Sequence, residues 1–240
     1  MSPLKSLRNA VLRDAHFQAA LEQLRDLEEV HAGQADRLEI PFSFRGAGHF
    51  KSIRPMQSID EITRLYERIC DLRPQRVLEI GTCHGGTLYL WCQAAAANAQ
   101  ILSVDLPEGD FGGGYHASRG PLYEAFSQPG QDLQLLRADS HSPDTRKMVE
   151  ESLGGERLDF LFIDGDHTYE GVKQDFELYE SLVRPGGVIA LHDVCPRPDQ
   201  PSIEVYRFWE EVREGYEQWE EYVERDEDQR KIGIGVIVQP

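Results

Sequence analysis

The amino-acid sequence predicts an α/β fold, in which helices cover the faces of a largely parallel sheet. Short apolar runs alternate with stretches whose apolar residues recur at helical spacing. Acidic or imidazole side chains follow most of these runs, where a parallel sheet places the carboxyl ends of its strands. The predicted strands are residues 77–80, 101–105, 133–136, 158–163 and 188–191.

Length and composition indicate a single sizeable core. The chain has 240 residues, of which 40% are hydrophobic, and we expect one domain at residues 58–240 with a helical extension at residues 1–57. No apolar run reaches the roughly 18 residues of a membrane span. No secretory pattern is present, and the four cysteines lack CxxC or metal-finger spacing. A reduced, cytoplasmic protein is therefore expected.

The charge balance argues against one class of partner. Asp and Glu outnumber Lys and Arg by 42 to 25, which gives a formal charge of −17. Such a field repels the phosphate backbone of nucleic acids, so we expect no nucleic-acid partner.

The N-terminal extension begins with a helix predicted over residues 1–30. This helix could cover the active site, pack against a second subunit or pack on its own domain. The second alternative makes a homodimer or a larger homo-oligomer an expectation. Residues 31–57 mix aromatic residues with glycines in an irregular segment, which we expect to border a pocket.

A strand, a glycine turn and a helix follow. Ser58 and Glu61 form a capping box before the helix that leads to them. Residues 77–80 are the strand, the turn has the pattern G-x-x-x-G-G, and residues 87–97 are the helix. The pattern is neither the dinucleotide fingerprint nor a P-loop, but free N–H groups at such a turn bind polar ligands. Glu79 lies inside the apolar strand, where a carboxylate is costly without a partner. A cationic or multiply hydrogen-bonding ligand would supply one.

The second strand ends at Asp105, roughly 20 residues past the turn, where an acid takes the hydroxyls of a ribose. Taken singly, Asp105 could instead be a helix cap. Residues 105–115 contain four glycines, and three of them lie between Phe111 and Tyr115. We interpret this loop as a lid or a substrate wall, and an ordinary surface loop is the alternative.

The fourth strand ends in Asp164-Gly165-Asp166-His167, which combines acid, base and metal-ligand chemistry. The fifth strand ends in His192-Asp193, so these groups are expected at one edge of the sheet. The alternative is a capped turn, in which Asp166 or Thr168 caps the next helix and His167 is a solvated loop residue.

The sequence resembles the class I S-adenosylmethionine (SAM)-dependent methyltransferases. Their first motif is similar to VLEIGTCHGG at residues 77–86, and the acidic end of their second strand to SVD at residues 103–105. The resemblance implies a Rossmann-like seven-stranded sheet that is mostly parallel and ends in an antiparallel hairpin at residues 216–223 and 232–238. The cofactor contacts that it implies are Glu79, Gly81, Thr82, Gly85, Asp105, Asp139, Ser140 and Asp164.

Later motifs resemble one branch of these enzymes, which contains cephalosporin-hydroxylase-like proteins and macrolide and sugar O-methyltransferases. They are FIDGDHTYEGVKQDF at residues 162–176 and LVRPGGVIALHDV at residues 182–194. This resemblance implies Mg²⁺, or another divalent cation, at Asp164, His192 and Asp193. His192 replaces the usual acid, although Mg²⁺ prefers oxygen ligands. His167 matches the proposed base of the branch, and Asp166 is expected to assist it.

The expected activity is SAM-dependent methylation of a hydroxyl on a small molecule, such as a sugar or a glycosylated natural product. One alternative is a metal-dependent hydroxylase on the same fold, for which His167, His192 and Asp164 come closest to a two-His-one-carboxylate triad. Another is a non-catalytic module that binds the cofactor.

Overall fold

A seven-stranded sheet forms the centre of the protein in the computed structural model, which describes residues 3–107, 114–225 and 231–240. The strands are β1 (Arg76–Ile80), β2 (Gln100–Val104), β3 (Asp132–Leu136), β4 (Leu158–Ile163), β5 (Val183–His192), β6 (Trp219–Arg225) and β7 (Lys231–Val238). Their order is β3-β2-β1-β4-β5-β7-β6. The first five strands pair in parallel, and β7 is antiparallel to both of its neighbours. The predicted seven-stranded, Rossmann-like sheet with its antiparallel hairpin is confirmed.

Helices connect the strands and precede the sheet. They are α1 (Pro3–Val30), α2 (Glu39–Ser43), α3 (Ile59–Leu72), α4 (Gly86–Ala94), α5 (Gly120–Glu124), α6 (Pro143–Leu153), α7 (Tyr169–Tyr179) and α8 (Val205–Val212). The predicted capping box starts α3, because the Ser58 side chain accepts from the Glu61 N–H and Glu61 accepts from the Ser58 N–H. Thr168 caps α7 by accepting a hydrogen bond from the N–H of Gly171. These local signals were readable from the sequence.

The two faces of the sheet bury separate hydrophobic clusters. In β4, Phe160 and Phe162 lie on one face with Trp91 of α4, while Leu161 and Ile163 lie on the other. This alternation follows from the two-residue period of a strand. Helices on both faces explain why the central strands read as continuous apolar runs.

The N-terminal segment packs on the domain's own core. Ala20 and Leu24 of α1 are buried in the same cluster as Trp91, together with Phe44 and Phe50. Residues 31–57 were predicted to be irregular, but they contain α2 and two 3₁₀ turns, Ala35–Leu38 and Gly48–Phe50. The boundary between residues 57 and 58 stays a prediction.

One segment differs from its prediction, and another lies mostly outside the described residues. The fifth strand was predicted at residues 188–191, but β5 also includes residues 184–187 as an irregularity, since Leu158 pairs with Val183 and Phe160 with Val188. Most of the loop predicted as a lid falls at residues 108–113, outside the described residues. Among the described helices, none combines the length and apolarity needed to cross a bilayer.

Gly85 offers a test of the turn between β1 and α4. Its φ is +83°, and a Cβ there would lie 2.7 Å from the Tyr123 ring. Gly154, at the end of α6, has a φ of +59°, and no atom of the described residues lies within 4 Å of its would-be Cβ. Gly154→Ala should cost about 1 kcal/mol from backbone strain alone. Gly85→Ala should cost about 1–3 kcal/mol more through overpacking. Urea unfolding followed by circular dichroism measures both, and equal losses would contradict the steric argument.

Candidate active site

The carboxyl ends of β1, β2, β3 and β4 border one cleft, as predicted. Its cavity volume is about 150 Å³. Predicted residues that line it are Gly81, Asp105, Asp139, Ser140, Asp164 and Asp166. Thr82 lines a smaller neighbouring pocket, while Glu79 and Gly85 line neither of the two.

Asp105 holds the glycine turn in place. Its Oδ2 atom accepts hydrogen bonds from the N–H groups of Thr82, at 3.0 Å, and Cys83, at 2.7 Å. Burial raises the pKa of this carboxyl despite these two bonds. Gly81 lies beside it with a φ of +93°, and a Cβ at Gly81 would lie 1.9 Å from the Asp164 carbonyl oxygen. The glycine turn after β1 is therefore held between Asp105, which follows β2, and Asp164, which follows β4.

Glu79 does not reach the cleft. Its side chain is fully buried, and it accepts hydrogen bonds from Trp91 Nε1, at 3.0 Å, and Ser103 Oγ, at 3.2 Å. Burial raises the pKa of Glu79 to about 8, so the group is mostly neutral at physiological pH. The partner that the sequence analysis assigned to a ligand is supplied here by the protein itself.

Asp139 and Ser140 form the wall of the cleft beyond β3. Asp139 Oδ1 accepts the His141 N–H at 2.9 Å, and the Ser140 carbonyl accepts the Tyr179 hydroxyl at 2.8 Å. His141 also lines the cleft, which the sequence analysis did not anticipate. Its Nε2 lies 3.3 Å from Oδ1 of the fully buried Asp175.

Asp164, His167 and Asp193 come together next to this cleft, with one potential ligand atom of each within 4.8 Å of the others. His167 Nδ1 lies 2.7 Å from Asp193 Oδ2, and His167 Nε2 lies 3.8 Å from Asp164 Oδ1. Arg197 Nη1 lies 3.2 Å from the second oxygen of Asp193.

The predicted metal set is placed differently in one respect. His192 was expected as a ligand beside Asp164 and Asp193, but the group that forms contains His167 in its place. Both ring nitrogens of His192 face carboxylates: Nδ1 is 3.1 Å from Asp164, and Nε2 is 3.4 Å from Glu61 of α3. His192 therefore links Asp164 to Glu61.

Electrostatics couple these side chains. Burial alone would lower the pKa of His167, but the nearby carboxylates of Asp193 and Asp164 outweigh it and raise that pKa. Burial would raise the pKa of Asp193, but His192, His167 and Arg197 hold it far below its usual value. The arrangement is a buried, alternating chain of acids and bases.

Asp166 fixes the turn before α7, and Thr168 is the residue that caps this helix. Its Oδ1 accepts the N–H of Thr168 at 2.8 Å, directly before α7. A Cβ at Gly171 would lie 2.1 Å from Asp166 Cγ, so α7 approaches this side chain closely. Asp166 nevertheless lines the cleft, and both alternatives for this residue hold geometrically.

A second, smaller pocket adjoins the cleft at Gly81, Cys83 and Asp164, and we call it the side pocket. Its cavity volume is about 20 Å³, which is room for roughly one water molecule. Its other lining residues are Arg54, Pro55, Met56, Gln57, Thr82, His84, Gly86 and Thr87. Gln57 Nε2 donates to Asp164 Oδ2 at 2.8 Å. Residues 31–57 thus reach the site, as the sequence analysis expected.

The residues that form the cleft lie in a segment that matches a known protein family. Residues 78–194, slightly less than half of the chain, match the model of a family described as a methyltransferase domain. Over these residues the chain is similar to methyltransferase domains. The matched segment runs from β1 to just beyond β5 and includes the cleft and the group of Asp164, His167 and Asp193.

Solved structures of O-methyltransferases share the fold of this chain. The O-methyltransferase TomG from Streptomyces achromogenes, involved in tomaymycin synthesis and solved with SAM, is 17% identical with a TM-score of 0.56, covering 86% of this chain and 88% of its own. An O-methyltransferase from Bacillus cereus, solved with SAH, is also 17% identical with a TM-score of 0.59, covering 90% of this chain and 96% of its own. The chain therefore has the fold of these enzymes.

Two relatives found by sequence similarity are uncharacterized proteins. An uncharacterized protein of Sinorhizobium fredii is 29% identical over 59% of this chain. An uncharacterized protein of Acanthamoeba polyphaga mimivirus is 31% identical over 48% of this chain. The aligned parts span 15% and 50% of the lengths of these two relatives.

The pair of His141 and Asp175 predicts a pH-dependent contribution to stability. The hydrogen bond to Asp175 raises the pKa of His141 in spite of burial. The contribution should therefore be present below the unfolded pKa, near 6.5, and be lost as pH rises through the folded pKa. A double-mutant cycle with His141→Gln and Asp175→Asn should show stronger coupling at about pH 6 than at about pH 8.5. The exposed pair of Lys147 and Glu151 is the control, and its coupling should not change. Equal coupling at both pH values would refute the assignment.

Proposed function

We propose that this chain is a SAM-dependent O-methyltransferase that acts on a hydroxyl group of a small molecule. The observation that carries the proposal is the position of one acid. Asp105 follows β2, fixes the glycine turn through Oδ2 and lines the cleft. Class I methyltransferases place the acid that binds the cofactor ribose at this position. The cleft also lies beside the group of Asp164, His167 and Asp193.

The polar groups that line the cleft suit the cofactor. Asp105 would accept the ribose hydroxyls, since its Oδ2 is committed to the turn and the carboxylate has a second oxygen. Asp139 and Ser140 would border the adenine, and Gly81 lets the backbone approach closely. When bound, the cofactor supplies a methyl group on a positively charged sulfur. The chain must then align the acceptor oxygen, an effect worth on the order of 7–11 kcal/mol, and remove its proton.

His167 is the base of this proposal. Its Nδ1 faces Asp193 at 2.7 Å, which favours the tautomer with the proton on Nδ1 and leaves Nε2 as the atom that takes the hydroxyl proton. Asp193 stabilises the resulting imidazolium, as the orienting acid does in a catalytic triad. General-base catalysis of this kind contributes roughly 10²–10⁴-fold. Asp166 would act only indirectly, by fixing the turn that carries His167.

A divalent cation fits Asp164, His167 and Asp193, and it would lower the pKa of the acceptor hydroxyl when bound. Two carboxylates and one imidazole suit an ion that accepts both oxygen and nitrogen, such as Mn²⁺, better than Mg²⁺. Arg197 already neutralises part of this charge, so moderate affinity is expected. The ion and the base use the same imidazole, and only one of the two roles can apply at a time.

The class of acceptor and the oligomeric state rest on separate observations. A sugar or a glycosylated natural product as acceptor rests on the resemblance to the sugar O-methyltransferases. A homo-oligomer rests on the exposed apolar side chains Val11, Leu12 and Val30 of α1. The hydroxylase alternative is weakened, because His192 is engaged by Glu61 and Asp164 and is not grouped with His167.

Calorimetry with SAM tests the cofactor site. Asp105→Asn should weaken binding at least about tenfold, because it removes hydrogen bonds to a charged acceptor. Asp132→Asn, at the exposed start of β3, is the matched control and should bind like the unaltered protein. Absence of SAM binding to the unaltered protein would refute the proposed function.

His167→Gln separates the two roles of the imidazole. If His167 is the base, methyl transfer should fall by roughly 10²–10⁴-fold, with SAM and Mn²⁺ affinities unchanged. If His167 is a ligand, Mn²⁺ affinity in calorimetry should fall together with transfer. Asp193→Asn is the companion variant, since Asn tolerates the left-handed backbone (φ +60°) of this position. Full activity of His167→Gln would contradict both roles.

A further inference from the structure

Arg119 uses all five N–H donors of its guanidinium on neighbouring oxygen atoms. The Nε–H group donates to the Tyr123 hydroxyl at 2.8 Å, and the two Nη groups donate to four backbone carbonyls. Those carbonyls belong to His49, at 3.0 Å, Lys51, at 3.2 Å, Ser52, at 2.7 Å, and His84, at 3.2 Å. Because the guanidinium is a fixed planar fork, one rigid group joins the N-terminal segment to the glycine turn.

The glycine turn is held by its carbonyl groups as well as by Asp105. The Tyr123 hydroxyl, which accepts from Arg119, donates to the Cys83 carbonyl at 2.8 Å. Cys83 has a φ of +43°, which a residue with a side chain rarely adopts. In a planar trans peptide the C=O and the following N–H point in opposite directions. Arg119 and Tyr123 therefore fix the direction of the two N–H groups that follow these carbonyls.

The other segment that Arg119 holds continues along the start of α4 to Asp164. A Cβ at Gly86 would lie 2.2 Å from the Ile53 carbonyl oxygen and 2.7 Å from the Pro55 ring, so this chain lies directly on the helix. Gln57, which is 4% exposed, then donates to Asp164 Oδ2 at 2.8 Å. We call residues 49–57 the 49–57 segment. It is bound by the guanidinium at one end and by an acid of the site at the other.

These contacts provide a physical route for coupling. A ligand bound at the glycine turn restricts the motion of that turn, and Arg119 is hydrogen-bonded to it. When one of two joined segments is already ordered, less conformational entropy is lost by ordering the other. Thermodynamic linkage makes the effect reciprocal, so an ordered 49–57 segment strengthens binding at the turn by the same factor.

We propose that Arg119 is a positioning residue that couples cofactor binding at the glycine turn to the order of the 49–57 segment and, through Gln57, to the placement of Asp164. This inference rests on the proposed function, since it assigns a regulation of the same site. Arg119 touches neither reacting atom in this account. The cofactor completes the surroundings of Asp164 before the acceptor binds.

Hydrogen exchange followed by mass spectrometry tests the coupling, because amide exchange reports local opening. The full chain is compared with and without saturating SAH. In the unaltered protein SAH should slow exchange in the 49–57 segment at least about fivefold, the lower end of typical coupling between sites. In Arg119→Gln, at an SAH concentration that saturates this variant, exchange should still slow in residues 81–87 but not in the 49–57 segment.

Tyr123→Phe separates coupling from simple support of the segment. It removes the hydroxyl that links Arg119 to Cys83 but leaves the bonds from Arg119 to the carbonyls of residues 49–52. Without SAH, the 49–57 segment should therefore exchange as in the unaltered protein. The slowing that SAH causes there should be smaller. A purely structural role of Arg119 would not produce this difference, and the variant also serves if Arg119→Gln does not fold.

Arg157→Gln is the matched control. It removes another guanidinium that donates to a backbone carbonyl, that of Ser181 at 2.8 Å, and it should keep the full response to SAH. If SAH binds the unaltered protein without slowing exchange in the 49–57 segment, the coupling inference is wrong and the proposed function stands. The same conclusion follows if Arg119→Gln or Tyr123→Phe responds like the unaltered protein. If SAH does not bind at all, the proposed function fails first.

Discussion

The cost of burying carboxylates at one end of a sheet organises this protein. Asp105 and Asp193 are almost fully buried at the ends of β2 and β5, and Asp164 is largely buried between them. A buried carboxylate is tolerated only when hydrogen bonds or cations replace the water that it has lost. Each of these acids therefore recruits a different part of the chain. Asp105 recruits the glycine turn, and Asp193 recruits Arg197.

Asp164 connects the most distant parts. Its side chain receives Gln57 from the N-terminal segment and His192 from β5, and its carbonyl oxygen lies against Gly81. Loss of the Gln57 or the His192 contact would leave the carboxylate of Asp164 partly uncompensated, which is more costly than the contact itself is stabilising. For this reason the N-terminal segment is part of the site, although it lies outside the segment that matches the family model.

Much of the structure at the carboxyl ends of the strands could be predicted, because the sequence patterns that specify it are local. A strand ending in Asp105, or a capping box at Ser58, depends on residues within one turn of each other. Burial of Glu79 was also predicted, but its partner was not. Trp91 lies twelve positions away on α4, and its indole meets Glu79 only after the helix folds back over the sheet. The sequence predicted a helix over residues 87–97, but it did not indicate what the N–H of Trp91 would bind.

The exchange of His192 for His167 has the same origin. Both histidines follow strands at one edge, and the sequence does not encode which ring turns toward the acids of the cleft. Glu61 decides this, because its carboxylate emerges from the first turn of α3 and holds His192 Nε2. In the sequence Glu61 reads only as a capping residue. Its second role depends on how α3 packs against the sheet, a tertiary relation that no local pattern contains.

Net charge describes long-range encounters better than it describes a pocket. A charge of −17 argues against a nucleic-acid partner, because a polyanion meets the field of the whole surface. A small ligand in a pocket is influenced mainly by groups within about 10 Å at moderate salt. Around the side pocket those groups include Arg54, His84 and Asp164. The net charge of the chain therefore does not determine which small molecule the site accepts.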